Sequence, residues 1–261
     1  MSYKFYQVDA FTDKIFSGNP ACVVPLKEWF SDEILLKIAK ENAVAETAFV
    51  IDKGDYFHLR WFTPDLEIDL CGHATLATSF VLKSILKYPS NEINFKTLSG
   101  ELIVKTHNDF YYLDFPARPA SPSELPKEIK LGLNIQPQEI YKARDYLLIY
   151  NSQEEVENIK INEEKFNQIN LGHGGVICTA KGNSSDFVSR FFTPQATILE
   201  DPVTGSAHCT LIPFWSSRLL KKELNALQIS ERGGKLYCKE NSDRVIIGGH
   251  AKLFSFGEFN I

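Results

Sequence analysis

Two short segments carry residue types that could move a proton. In Asp69-Leu-Cys-Gly-His-Ala-Thr75 a thiol and an imidazole flank a glycine. In Glu200-Asp-Pro-Val-Thr-Gly-Ser-Ala-His208 an acidic pair precedes a glycine, and hydroxyls stand on both sides of it. Each segment runs into an apolar stretch with helical character. Glycine at a helix start lets backbone approach a ligand, and the free N–H groups there attract anions. Two such turns facing a shared cleft would present two sets of backbone donors to one small carboxylate. The plain structural alternative is a helix cap from Asp69 with a buried thiol at Cys71, and capping by Thr204 or Ser206 in the second segment.

A third segment, Glu41-Asn-Ala-Val-Ala-Glu-Thr-Ala-Phe-Val50, places one acid, Glu46, where the chain enters an apolar strand. Partial desolvation raises a carboxyl toward the range of a general base; an exposed acid at a strand edge is the alternative. In Phe16-Ser-Gly-Asn-Pro-Ala-Cys22, Asn19 either points its amide into a cleft or is a plain turn residue. His58, His107, His173 and His250 have no ligand-like spacing and are expected to be structural or solvent-facing.

The elements that position these groups come in two copies. Residues 57–64 read FHLRWFTP and residues 187–194 read FVSRFFTP, with Arg60 and Arg190 130 positions apart (190 − 60), half of a 261-residue chain. Counted from the arginines, the place of Glu46 is taken by Val176, so the copies share shape and differ in chemistry. The register of the two turns is open. Aligning the glycines pairs Cys71 with Thr204, while aligning His-Ala-Thr-Leu with His-Cys-Thr-Leu pairs His73 with His208; the glycine alignment is preferred.

Strands dominate the expected elements: Lys4–Val8, Cys22–Pro25, Thr47–Asp52, Tyr56–Phe62, Leu102–Thr106 and Phe110–Phe115, then Tyr146–Tyr150, Gly175–Ala180, Asp186–Phe192, Gln228–Glu231 and Arg244–Gly248. Helices are expected over Ser31–Glu41, opened by a serine cap, and over His73–Tyr88. The second is apolar on nearly every face and should be buried within strands. Its counterpart after Gly205 should be kinked or interrupted at Pro213. The Pro-, Ser- and Lys-rich stretch at the midpoint suggests one domain over 1–118, a linker over 119–137 and a second domain over 138–261, whose last strand could return to the first.

Composition excludes several functions. With 44% apolar and 23% charged residues, a net charge of −5 and no basic run, nucleic acid and anionic membranes are not expected partners. No stretch is apolar enough to span a membrane and the N-terminus does not read as a signal peptide. Five cysteines without a CxxC pair argue against a disulfide framework and a thiolate zinc site, so a cytoplasmic protein with reduced thiols is expected. No phosphate loop and no GxGxxG after a strand occur, so no nucleotide cofactor is indicated.

Taken in order, YQVDAFTDKIFSGNPACVV, NAVAETAFV, RWFTPDLEIDLCGHAT, RFFTPQATILEDPVTGSAH and IIGGHAKL resemble the phenazine-biosynthesis PhzF-like family of the diaminopimelate-epimerase-like superfamily. The resemblance implies an α+β fold of two pseudo-symmetric domains, each a curved mixed sheet or barrel wrapped round a central helix, with the active site in the cleft between them. It implies a homodimer and an isomerase of a small carboxylated metabolite that needs neither cofactor nor metal. Glu46 would be the acid/base, His73, Asp201 and Ser206 its polar partners, and Asn19, Cys71, Gly72, Thr204 and Gly205 would contact substrate. Related epimerases use two facing cysteines; here Thr204 stands in place of the second, which favours one base acting on one face. A two-base epimerase using Cys71 with Glu46, and a catalytically silent binder of a metabolite or protein, are the alternatives.

Overall fold

Both copies of the repeat are strands up to their last phenylalanine, Phe57–Phe62 and Phe187–Phe192, and the same ladder is built outward from each. The computed structural model describes residues 1–261 and divides into one unit of Met1–Phe115 with Ile247–Ile261 and another of Pro116–Ile246. Residues 119–137, expected as a linker, belong to the second unit. Ser121–Pro122 pairs with the strand Glu139–Lys142, and the helix Lys127–Gly132 buries Ile129 in that unit's core. Proline and serine there mark turns of a folded segment, and its apolar residues are what anchor it.

In the first unit, Asn19–Leu26 runs parallel to Glu46–Asp52, which pairs antiparallel with Phe57–Phe62. Phe57–Phe62 in turn meets the short strand Glu67–Ile68 and, in parallel, Glu92–Thr97. Ser2–Ala10 is flanked by Asn19–Leu26 and by the chain's last strand, Ala251–Asn260. The helix Gly72–Phe80 packs against the strands Asn19–Leu26, Ser2–Ala10 and Glu46–Asp52, and every residue in it except Phe80 is buried. Its apolar residues avoid water in this way, and the hydroxyls of Thr78 and Ser79 are buried with them by bonding back to helix carbonyls. Beyond Phe80 it widens into a π turn at Val81–Ile85, so the expected single helix to Tyr88 ends early. Helix Asp32–Asn42 lays Leu35, Ile38 and Ala39 on Val24, Phe49 and Ile51. Ser31 precedes it, but its carbonyl, not its hydroxyl, takes the free N–H groups of Ile34 and Leu35.

The second unit repeats this order. Tyr146–Ile149 is parallel to Val176–Lys181, which pairs antiparallel with Phe187–Phe192; that strand meets Glu200–Asp201 and, in parallel, Glu223–Gln228. The helix Gly205–Leu219 is buried along most of its length. Pro213 does not interrupt it. A proline leaves the carbonyl four residues back without its donor, and here that carbonyl, Cys209, accepts from the backbone N–H of Arg118 at 2.8 Å. The strand expected at Gln228–Glu231 lies earlier, at Glu223–Gln228, where Leu224, Ala226 and Gln228 alternate inward.

The ladders also resolve the internal alignment. Phe62 stands opposite Thr47, and its counterpart Phe192 stands opposite Val176. Glu46 therefore corresponds to Gly175, one residue before the Val176 expected from simple counting. Helix starts at Gly72 and Gly205, each after a two-residue strand opened by a glutamate, select the glycine alignment. Cys71 matches Thr204 and His73 matches Ser206. The fold is α+β, two pseudo-symmetric curved mixed sheets, each wrapped round a central helix.

Candidate active site

The first unit brings Asn19, Glu46, Cys71, Gly72 and His73 together. Glu46 and Asn19 open the two adjacent parallel strands, Cys71 is the residue before the central helix, and Gly72 and His73 are its first two residues. His73 is 2% exposed and the Glu46 side chain 13%. Glu46 Oε2 lies 2.8 Å from His73 Nε2. The approach is close enough for an ion pair but too oblique for a directed hydrogen bond, so both buried atoms lack a hydrogen-bond partner.

The other edge of the ring is held. Asn19 Nδ2 stands 3.0 Å from His73 Nδ1, with Cys71 Sγ 3.6 Å from the same nitrogen. In this orientation the Asn19 amide donates to Nδ1 of a neutral ring, which leaves the proton on Nε2, toward Glu46. Turned over, the same amide would accept from an imidazolium. Asn19 is thus neither a turn residue nor exposed; it is fully buried against the histidine.

Burial pulls His73 down, but the negative charge available at Cys71 and Glu46 outweighs it and holds its pKa well above the ordinary value. Burial, then Glu46, pushes the Cys71 thiol up to about 11. Below that pH the sulfur is uncharged, and the charge that raises His73 is that of Glu46. The ligand atoms of Glu46, Cys71 and His73 lie within 4.8 Å of one another, a separation a metal ion could bridge. Glu46 and Cys71, however, face different ring nitrogens, so no single ion reaches all three without turning the ring.

The second unit holds Asp201, Thr204, Gly205 and Ser206 at the start of its own central helix. Thr204 precedes that helix without capping it; its hydroxyl donates to Asp201. Gln228 pins the turn from the neighbouring strand. Its Oε1 accepts from Thr204 N at 2.8 Å and its Nε2 donates to the Asp201 carbonyl at 2.7 Å. Ser206 accepts from Arg144 Nη2 at 2.8 Å. His208 is sealed beneath, its Nδ1 2.8 Å from the Thr204 carbonyl, and burial lowers its pKa to about 4.

Gln228, Arg144 and Asp145 escaped sequence reasoning. Each is a single polar residue outside any motif, and each reaches a partner distant in sequence. The repeated arginines have a clear task. Arg60 grips Glu67 through two bonds of 2.7 and 2.6 Å, and Arg190 grips Glu200 through two of 2.7 Å. Each fork anchors the short strand that delivers the chain to its glycine turn.

No helix is long and apolar enough to cross a membrane. All five cysteines are free and buried.

Known proteins extend the likeness over the whole chain. An uncharacterized isomerase of Pseudomonas aeruginosa is 43% identical over 100% of both chains. The crystal structure of a phenazine biosynthesis PhzF-family protein from Enterococcus faecalis is 45% identical, covers 100% of both chains and superposes with a TM-score of 0.94. A hydroxyproline epimerase from Agrobacterium vitis, solved with trans-4-hydroxy-L-proline bound, covers 99% of this chain and 91% of its own at 12% identity and a TM-score of 0.66, which shows a shared fold alone. Family and fold support a function of the isomerase and epimerase type. The family profile described as phenazine biosynthesis-like protein matches residues 8–257, and the chain belongs to that family, PhzC-PhzF.

Proposed function

We propose that this protein is a cofactor-independent isomerase that moves a proton on a small carboxylated metabolite, with Glu46 as its single acid/base. One observation carries the assignment: a buried carboxylate oxygen 2.8 Å from a buried imidazole nitrogen, neither atom with a hydrogen-bond partner. A carboxylate and an imidazole paired out of water in this way are the residue types that move protons at functional sites.

Glu46 takes a proton from a carbon beside the substrate carboxylate and becomes the carboxylic acid, while the electron pair delocalises onto the carboxylate or a conjugated double bond. The same acid returns the proton on the same face: to a conjugated carbon, which shifts the double bond, or to the original carbon, which regenerates the starting acid and is seen only as exchange with solvent. His73, fixed at Nδ1 by Asn19, stays beside the carboxyl and stabilises its charged form at the start and end of the cycle. Asp201, Thr204, Gly205 and Ser206 are the residues assigned to holding the substrate, the free N–H groups of the helix start being suited to a carboxylate. Thr204 at the place matching Cys71 leaves no second thiol to face it, and Glu46 is therefore kept as the one base.

The test is deuterium incorporation from ²H₂O into L-proline, trans-4-hydroxy-L-proline, L-glutamate and L-malate, followed by ¹H NMR. Exchange by the wild type that disappears in Glu46→Gln, with the acid still bound, supports the isomerase. Equal exchange by both proteins overturns the role of Glu46; binding without exchange in either would favour a silent binder.

A further inference from the structure

We infer that Arg144 is the positioning residue for Ser206: by occupying the serine oxygen as its acceptor, it leaves the hydroxyl proton to be donated to the carboxylate of a bound acid. The inference rests on the assignment of Ser206 to substrate holding.

Arg144 is itself fixed. Its Nε and Nη2 each lie 3.2 Å from an oxygen of Asp145, which is 0% exposed and also accepts from the Gly175 N–H at 2.9 Å. The backbone is held as closely. A Cβ added at Gly174 would stand 2.7 Å from the Arg144 carbonyl oxygen, so only glycine permits this approach. The remaining reach of Nη2 goes to Ser206 Oγ at 2.8 Å. The charge of the guanidinium is balanced by Asp145, so Arg144 is placed to orient a hydroxyl more than to attract an anion.

What the serine does with its own proton follows from its surroundings. In the first unit's central helix, Thr78 and Ser79 turn their hydroxyls back onto the carbonyls four residues earlier, Ala74 and Thr75. Such back-bonding is the default for a hydroxyl in a helix. For Ser206 that carbonyl belongs to Pro202, which already accepts from Ser230 at 2.8 Å. Ser206 is 8% exposed, in the first turn of a helix whose leading N–H groups have no partner within it. A hydroxyl with its oxygen engaged and its proton free is a donor waiting for an acceptor.

The first unit contains a likeness of this device. Asn19 reaches His73, and Arg144 reaches Ser206; His73 and Ser206 are the matching second residues of the two central helices. The ladders match Arg144 with Pro20 and not with Asn19. The arrangement recurs from neighbouring but different positions, in each case fixing the proton of the residue after the helix-start glycine.

Two experiments decide it. A neutron structure of the perdeuterated protein reads the Ser206 deuteron directly. It should point away from Arg144 and toward no protein acceptor; a deuteron on the Pro202 or Val203 carbonyl overturns the inference whatever the substrate. The second is a double-mutant cycle on deuterium exchange of the acid that the wild type turns over fastest. Arg144→Gln should lower the rate about 10- to 100-fold, the loss expected of one charge-assisted donor. In a Ser206→Ala background the same change should alter it less than about twofold. Arg144→Lys, which keeps a cation beside Asp145 and so protects folding, should recover part of the rate. Independent, multiplying losses overturn the inference. If no acid in the panel exchanges, the isomerase assignment fails, and the deuteron's direction alone decides the role of Arg144.

Discussion

Glu46 Oε2 and His73 Nε2 stand 2.8 Å apart in the interior of the first unit, and neither has a hydrogen-bond partner. The ring is held from behind, by Asn19 on its far nitrogen, and the facing Glu46 and His73 atoms are sealed from water. A carboxyl that must accept and return a proton needs such a neighbour, fixed in place and carrying a charge that favours its ionised form.

The raised pKa of His73 gives stability a definite pH dependence. An unfolded histidine titrates near pH 6.5, and the folded one titrates well above it. Below about pH 6.5 both states hold the proton and the full stabilising contribution is present. Above it the unfolded state releases its proton first, and the contribution is lost as pH rises through the folded value. Urea unfolding at pH 6 and pH 9 should show a larger fall for the wild type than for His73→Asn. Identical falls would mean that the imidazole is not held charged by Glu46.

Cys71 should be dispensable for proton transfer. Its thiol is pushed up to about 11 by burial and by Glu46, so almost none is thiolate at neutral pH. Cys71→Ser should keep deuterium exchange within about threefold, while Glu46→Gln loses on the order of 10²- to 10⁴-fold, the usual share of a general base. Loss of exchange in the serine variant would restore the two-base epimerase.

His208 predicts the opposite pH slope in the second unit. Burial holds its folded pKa at about 4. Between the unfolded value near 6.5 and that figure, the unfolded state binds a proton the folded state refuses, so stability falls as pH drops through this window and is complete above it. The full effect is on the order of 3 kcal/mol. Comparing wild type with His208→Asn by thermal melting at pH 4.5 and pH 7 isolates it from the carboxylates that titrate nearby. The variant should lose less on acidification; an equal loss would place a proton on the buried ring.

Much of this site was legible because its chemistry sits in local patterns. Glu46 stood out as a lone acid entering an apolar strand, and Cys71, Gly72 and His73 as reactive types around a helix-start glycine. The repeat of FHLRWFTP as FVSRFFTP marks two copies of one unit in the sequence itself. What stayed hidden depends on contacts distant in the chain. Gln228 reaches Thr204 and Asp201, and Arg144 reaches Ser206, from segments with no motif. Pro213 read as a helix breaker because the rescue of the Cys209 carbonyl comes from Arg118, far outside the helix. The correspondence of Glu46 with Gly175 needed the ladder register, since counting along the chain slips by one residue.

The paired arginines supply the last prediction. Arg60 and Arg190 are 15% and 14% exposed, and each places two bonds on a partly buried glutamate. Arg190 also donates to the Ile159 carbonyl at 2.9 Å, tying a loop to the same anchor. Removing the cation strands a partly desolvated carboxylate, which costs about 3–5 kcal/mol where burial is complete and less where water can reach the acid. Lysine retains charge but cannot match the planar fork. Arg60→Lys and Arg190→Lys should therefore both lower the urea midpoint, and Arg60→Met and Arg190→Met should lower it further. Each substitution should also loosen the glycine turn that its glutamate strand delivers, seen as faster amide exchange at Gly72 or at Gly205 and not at the other. Equal exchange at both turns in either variant would show that the forks support the sheet alone and do not set the turns.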